Sequence, residues 1–142
     1  MEYTKGGISL TKELNELDLL TLDFVKCLDE FNLRYVLVSG YVSILFGRSR
    51  ESEDIDIFVQ KMSYFTFKKL LVSLERFFDC VITSATEEGY DYLITGHSLR
   101  FARKNKYIPN IEMKYPKVEL DDWTLDNRIK VVLNNQEMFI AS

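Results

Sequence analysis

The sequence predicts an α/β domain, a small mixed β-sheet with flanking helices, and three observations carry that prediction. Residues 35–60, YVLVSGYVSILFGRSRESEDIDIFVQ, read as strand, tight turn, short helix, polar loop and second strand. Leu17, Leu20, Phe24, Leu28 and Phe31, and later Phe67, Leu70, Leu71, Leu74, Phe77 and Phe78, recur at mostly helical spacing, as on amphipathic helices. Ile111, Met113 and Tyr115 alternate with Glu112 and Lys114, the pattern of a half-buried strand. With 46% apolar and 13% aromatic residues, 142 residues suffice for one core.

In chain order, residues 1–16 are polar around Gly6-Gly7 and are expected to form an arm or a short strand near Ile8 to Leu10; residues 17–142 are expected to form a single domain. The first helix begins near Leu17 and closes at Asn32. Arg34 to Ser39 is apolar almost throughout, as a central strand buried on both faces is. Tyr41 to Phe46 is a short helix ended by Gly47, and a loop with Arg48 and Arg50 leads to the strand holding Asp54 and Asp56. Ser63 caps the next helix. Short strands follow at Cys80 to Thr83 and Leu99 to Ala102, and between them Thr86 to Ile94 is expected as a helix whose Thr-x-Glu start suggests a cap. The chain from Pro116 is polar, and Asn134-Asn135 turns a terminal hairpin.

Chemistry concentrates in the second of these strands. Side chains alternate along a strand, so Asp54 and Asp56 share one face while Ile55 and Ile57 anchor the other. Two like charges side by side need a cation, and an oxygen-only donor set suits Mg2+ or Mn2+ better than zinc. Gly40 permits a tight turn, and the free N–H groups of the helix after it can hold a phosphate. Arg48 and Arg50 are placed to grip phosphate oxygens bidentately, although solvated surface arginines are the ordinary reading. For Asp54 and Asp56 the ordinary reading is a solvated sheet edge. It loses here because strand, turn, helix and arginine loop precede them.

This stretch resembles the nucleotidyltransferase superfamily that includes DNA polymerase beta, whose signature is an apolar strand, Gly-Gly or Gly-Ser, a short helix, and Asp-x-Asp between apolar residues. Here Ser39-Gly40 stands at the turn, in the reverse order, and Asp54-Ile55-Asp56 follows fourteen residues after Gly40. GRSRESEDIDIFV looks most like the small prokaryotic branch of minimal nucleotidyltransferases and AbiEii-type toxins. The resemblance implies the nucleotidyltransferase fold and a third carboxylate on a neighbouring strand, for which Glu112 is the candidate. It also implies Mg2+ or Mn2+ held by Asp54, Asp56 and Glu112. An NTP such as ATP would be gripped by Ser39, Gly40, Tyr41, Arg48, Arg50 and Lys114, and the acceptor would be a tRNA or other RNA, a protein or a small molecule. Similar proteins continue with a helical segment beyond the point reached at Ser142, which leaves a truncated and a naturally minimal version both open. A catalytically silent member, such as a toxin-antitoxin component, and a purely structural dimer component are the competing expectations.

Other features are expected to be structural. His97 stands alone, and no Ser or Cys nucleophile is marked by an elbow sequence. Tyr64, Phe65, Phe67, Phe77 and Phe78 belong to a helix's core face rather than a stacking platform. Asp121, Asp122 and Asp126 around Trp123 form a solvated acidic surface or a partner site. Cys27 and Cys80 are expected as free thiols. No apolar run reaches the roughly 18–20 residues of a membrane span, and MEYTKGG has no signal core, so a cytoplasmic protein without membrane association is expected. A net charge of −4 and a pI near 5.1 argue against indiscriminate nucleic-acid binding while leaving room for a local basic patch.

Overall fold

The computed structural model describes residues 2–4, 6–38, 54–81 and 85–141. Among the described residues nine strands form one mixed sheet: β1 (Glu2–Thr4), β2 (Gly7–Leu10), β3 (Tyr35–Val38), β4 (Asp54–Val59), β5 (Phe78–Cys80), β6 (Leu99–Arg103), β7 (Asn110–Lys114), β8 (Ile129–Leu133) and β9 (Gln136–Ile140). Their order across the sheet is β1-β2-β8-β9-β3-β4-β7-β6-β5. The helices are α1 (Glu16–Glu30), α2 (Tyr64–Leu74), α3 (Thr86–Ile94) and α4 (Glu119–Asp126). The expected helix Tyr41 to Phe46, the Arg48/Arg50 loop and the Ser39-Gly40 turn lie outside the described residues.

Local chemistry accounts for the element ends. Asn15 caps α1 by accepting from the Asp18 N–H at 2.8 Å, and the Asp18 carboxylate returns the favour to the Asn15 N–H at 3.0 Å. Asp18 is fully buried, and Lys12 Nζ meets it at 3.0 Å. At the other end Asn32 takes φ 54°, and the Leu33 and Asn32 N–H groups close on the Leu28 and Asp29 carbonyls, a Schellman stop of the kind expected at this asparagine. Ser63 caps α2 by accepting from the Thr66 N–H. Asn134 and Asn135, at φ 47° and 67°, turn the β8–β9 hairpin, matching the two positive φ values of a type I′ turn.

The sheet has two unlike faces. On one, α1, α2 and α3 bury Tyr35, Leu37, Ile55, Ile57, Leu99, Phe101, Ile111 and Met113 in the main core, with Phe24 of α1 at the centre, 5.5 Å from the rings of both Phe78 and Phe101. On the other, α4 lays Leu125 on Val36 and Phe58, a far smaller cluster.

Three expectations change. The polar stretch after Pro116 contains α4, because only Leu125 of that helix is buried, leaving its sequence without an apolar stripe. The α3 start has no side-chain cap: Ala85 occupies the cap position. Of the strand expected at Cys80 to Thr83, Cys80 ends a strand that begins at Phe78, where Phe78 enters the core, while Ile82 and Thr83 lie outside the described residues. Residues 2–10 and the terminal hairpin join one edge of the mixed sheet.

Candidate active site

The less covered face of the sheet carries the predicted acids, and strand register ranks them. β3 and β4 are antiparallel with Val38 opposite Asp56. β4 and β7 are parallel, pairing Asp54 with Asn110, Asp56 with Glu112 and Phe58 with Lys114. β6 runs antiparallel to β7 and sets Arg100 opposite Glu112. Across the sheet one rank therefore reads Val38, Asp56, Glu112, Arg100. The rank on one side holds Asp54 and Asn110; the rank on the other holds Val36, Phe58 and Lys114.

Within the central rank, Arg100 Nε and Nη2 reach Glu112 Oε1 at 2.7 and 2.6 Å. Asp56 is half-buried. Burial, and then the Glu112 carboxylate that accepts its proton, raise its pKa to about 6, with Lys114 opposing and Asp54 adding to the shift. Burial also pushes Glu112 up, but the hydrogen bond from Asp56 and the Arg100 guanidinium more than offset it, so its carboxyl sits below the usual glutamate range. The opposite directions of the two shifts mark a pair that titrates together, with Asp56 the more readily protonated partner. Lys114 Nζ lies 5.2 Å from the Phe58 ring centroid, one rank from the acids.

The structure thus brings Asp56 and Glu112 together and puts Asp54 and Lys114 on the same face in the flanking ranks. Ser39, Gly40, Tyr41, Arg48 and Arg50 lie outside the described residues. Among the described residues no three His, Cys, Asp or Glu side chains converge closely enough for a metal site. The donor chemistry still fits a hard divalent cation. Asp56 and Glu112 offer only oxygen, and the crowding that raises the Asp56 pKa is of the kind a bound cation relieves. Arg100 was not foreseen. Leu99 and Phe101 mark β6 as a strand, but only the long-range register of β6 on β7 shows that the cation between them lands on Glu112.

His97 follows α3, donates its N–H to the Tyr92 carbonyl at 2.8 Å and meets the Tyr92 ring edge-on, a structural role as expected. Cys27 and Cys80 are free thiols. No helix among the described residues is long and apolar enough to cross a membrane.

No family model matches the chain, and no curated protein matches it in sequence. Solved structures do match in shape. An antigenic nucleotidyltransferase-like protein from Paracoccidioides brasiliensis superposes with a TM-score of 0.54 at 19% identity over 91% of this chain and 62% of its own. A candidate nucleotidyltransferase from Thermotoga maritima gives 0.52 at 15% identity over 89% and 76%. A CCA-adding enzyme in complex with ATP matches 75% of this chain and 23% of its own at 18% identity, with a TM-score of 0.45 that carries no argument. The chain thus spans under two thirds of the Paracoccidioides protein. Its fold is nucleotidyltransferase-like, a mixed sheet with flanking helices. At these identities the likeness is one of fold.

Proposed function

We propose that this chain is a metal-dependent nucleotidyltransferase, moving an NMP from an NTP to a hydroxyl of an RNA, protein or small-molecule acceptor. The observation that carries the reading is the Asp56–Glu112 pair, two carboxyls crowded on neighbouring strands of the less covered face, so that Asp56 keeps its proton to about pH 6. Asp56 and Glu112, with Asp54 turning in from its flanking rank, would hold Mg2+ or Mn2+, which when bound supplies neutralisation of the charge that develops on the triphosphate. Glu112 accepts the acceptor hydroxyl's proton. The freed oxygen bonds to the α-phosphorus as the bond to pyrophosphate breaks, and pyrophosphate leaves. Lys114, with Ser39, Gly40, Tyr41, Arg48 and Arg50, grips the triphosphate.

The test is incubation with Mg2+ or Mn2+ and each α-labelled NTP in cell extract. Label is expected on an RNA, protein or small-molecule fraction, and Asp56→Ala should reduce it about a thousandfold. Label that moves equally well with Asp56→Ala contradicts the reading.

One observation favours a second reading, a silent binding module such as a toxin-antitoxin component: Arg100 already neutralises Glu112. If Arg100 replaces the metal for good, Mn2+ binds neither wild type nor Asp56→Asn, and Asp56→Ala keeps the biological effect. In an active enzyme Arg100→Gln instead raises Mn2+ affinity several-fold by removing a competitor for Glu112.

A further inference from the structure

Arg100, Arg103, Lys104 and Lys106 place four cations in seven residues, and no stretch of seven outside that segment of this acidic chain holds more than two. Two of the four are committed: Arg100 to Glu112, and Arg103 to Asp23 at 2.7 Å. The other two lie in the turn between β6 and β7. Lys104 makes only a loose contact with Asp79, 3.8 Å between two half-exposed side chains. Lys106 is exposed and has no carboxylate partner among the described residues.

Between these lysines and β7 stand Tyr107, 76% exposed, and Ile108, 54% exposed. The Tyr107 ring meets no other ring and no cation among the described residues. The backbone beneath it is pinned. The Asn105 N–H donates to Asp79 Oδ2 at 3.0 Å, the Lys106 N–H to the Arg103 carbonyl at 3.0 Å, and Asn110 Nδ2 to the Tyr107 carbonyl at 3.3 Å. An aromatic ring held out on an ordered turn beside two available cations is the composition of a single-stranded nucleic-acid contact, with the ring stacking a base and the lysines meeting phosphates.

Position gives this surface its meaning. The turn runs straight into β7, whose first residue, Asn110, registers with Asp54 and whose third, Glu112, registers with Asp56. At about 3.3 Å per residue along a strand, Asn110 is roughly 7 Å from Glu112, so Tyr107 stands a few nucleotides' reach from the acids. Asn110, only 5% exposed, is the link between them. Its Oδ1 is buried and meets no donor among the described residues, at the junction of turn and acids.

We propose that the β6–β7 turn is the docking surface for a single-stranded RNA acceptor, with Tyr107 stacking a base and Lys104 and Lys106 meeting its phosphates while the 3′ end reaches Asp56 and Glu112. This rests on the nucleotidyltransferase reading for the role of the 3′ end, but the binding itself requires no catalysis.

The experiment is fluorescence anisotropy of a short, unstructured, labelled RNA oligonucleotide in EDTA, with its duplex as control. The wild type binds the single strand in preference to the duplex. Tyr107→Ala weakens binding about tenfold or more, and Tyr107→Phe restores it because the stacking face is kept. Lys104→Ala with Lys106→Ala flattens the slope of log K against log salt by about 1.4, two phosphate contacts at about 0.7 each. All these side chains are exposed, so the melting temperature stays unchanged. Wild type that does not bind, or Tyr107→Ala that binds as tightly as wild type, overturns the proposal. Label delivered to protein by a chain that binds no RNA sinks this surface and leaves the transferase standing. RNA held through Tyr107 with no transfer to any acceptor does the reverse.

Discussion

The two faces of the sheet obey different rules. The face under α1, α2 and α3 is filled with apolar side chains. Among the described residues the opposite face has one small apolar cluster, Leu125 on Val36 and Phe58, and beside it a row of charges. A surface built for stability alone would not seat Asp56 against Glu112, where burial and crowding raise the Asp56 pKa to about 6. The difference teaches that packing on one face stabilises the platform, while the other holds carboxyls in a state that a cation would relieve.

That contrast can be broken or sharpened by substitution. The largest effect belongs to the packed face. Phe24→Ala, at the junction of the Phe78 and Phe101 rings, should cost about 3–5 kcal/mol in urea unfolding. A cost under 1 kcal/mol would mean that this face is not the main core. Next comes the cap that aims α1 at it. Asp18→Ala removes an acceptor from the Asn15 N–H and the buried partner of Lys12, and should cost about 2 kcal/mol.

On the other face the sign reverses. Asp56 has a folded pKa raised above its unfolded value, so the native state binds more protons between about pH 4 and 6, and stability falls as pH rises through that window. Glu112, held low, runs the opposite way and contributes stability only above its own unfolded pKa. Asp56→Asn mimics the protonated form. It should stabilise the protein at pH 8 by about 1 kcal/mol, the half-exposed carboxyl being partly screened by solvent, and should be neutral at pH 4. The smallest effect is expected for Arg100→Gln, whose half-exposed ion pair contributes no more than about 0.5 kcal/mol to metal-free stability.

The two faces also differ in how legible they were. The packed face is written in local periodicity: Leu20, Phe24 and Leu28 announce α1, and Ser63 announces the start of α2. The acids of β4 were readable because Asp54 and Asp56 alternate with isoleucines, and Glu112 because Ile111 and Met113 flank it in the same way. Their meeting was not readable from alternation, since it depends on β7 lying parallel to β4 with Glu112 level with Asp56, a register set by long-range pairing. Arg100 was hidden for the same reason. α4 was hidden because its buried surface is almost one leucine. A local signal did exist: the Asp121 carboxylate accepts from the Lys117 and Val118 N–H groups, as an acidic first turn can.

The central claim is that Asp56 is kept for a cation at a cost in stability. The melting temperature of wild type and Asp56→Asn at pH 8, each with and without Mn2+, tests it most directly. The account predicts that the variant melts higher than wild type without metal and that Mn2+ raises only the wild type. A variant that melts lower in the absence of metal, or Mn2+ that raises both equally, would contradict it.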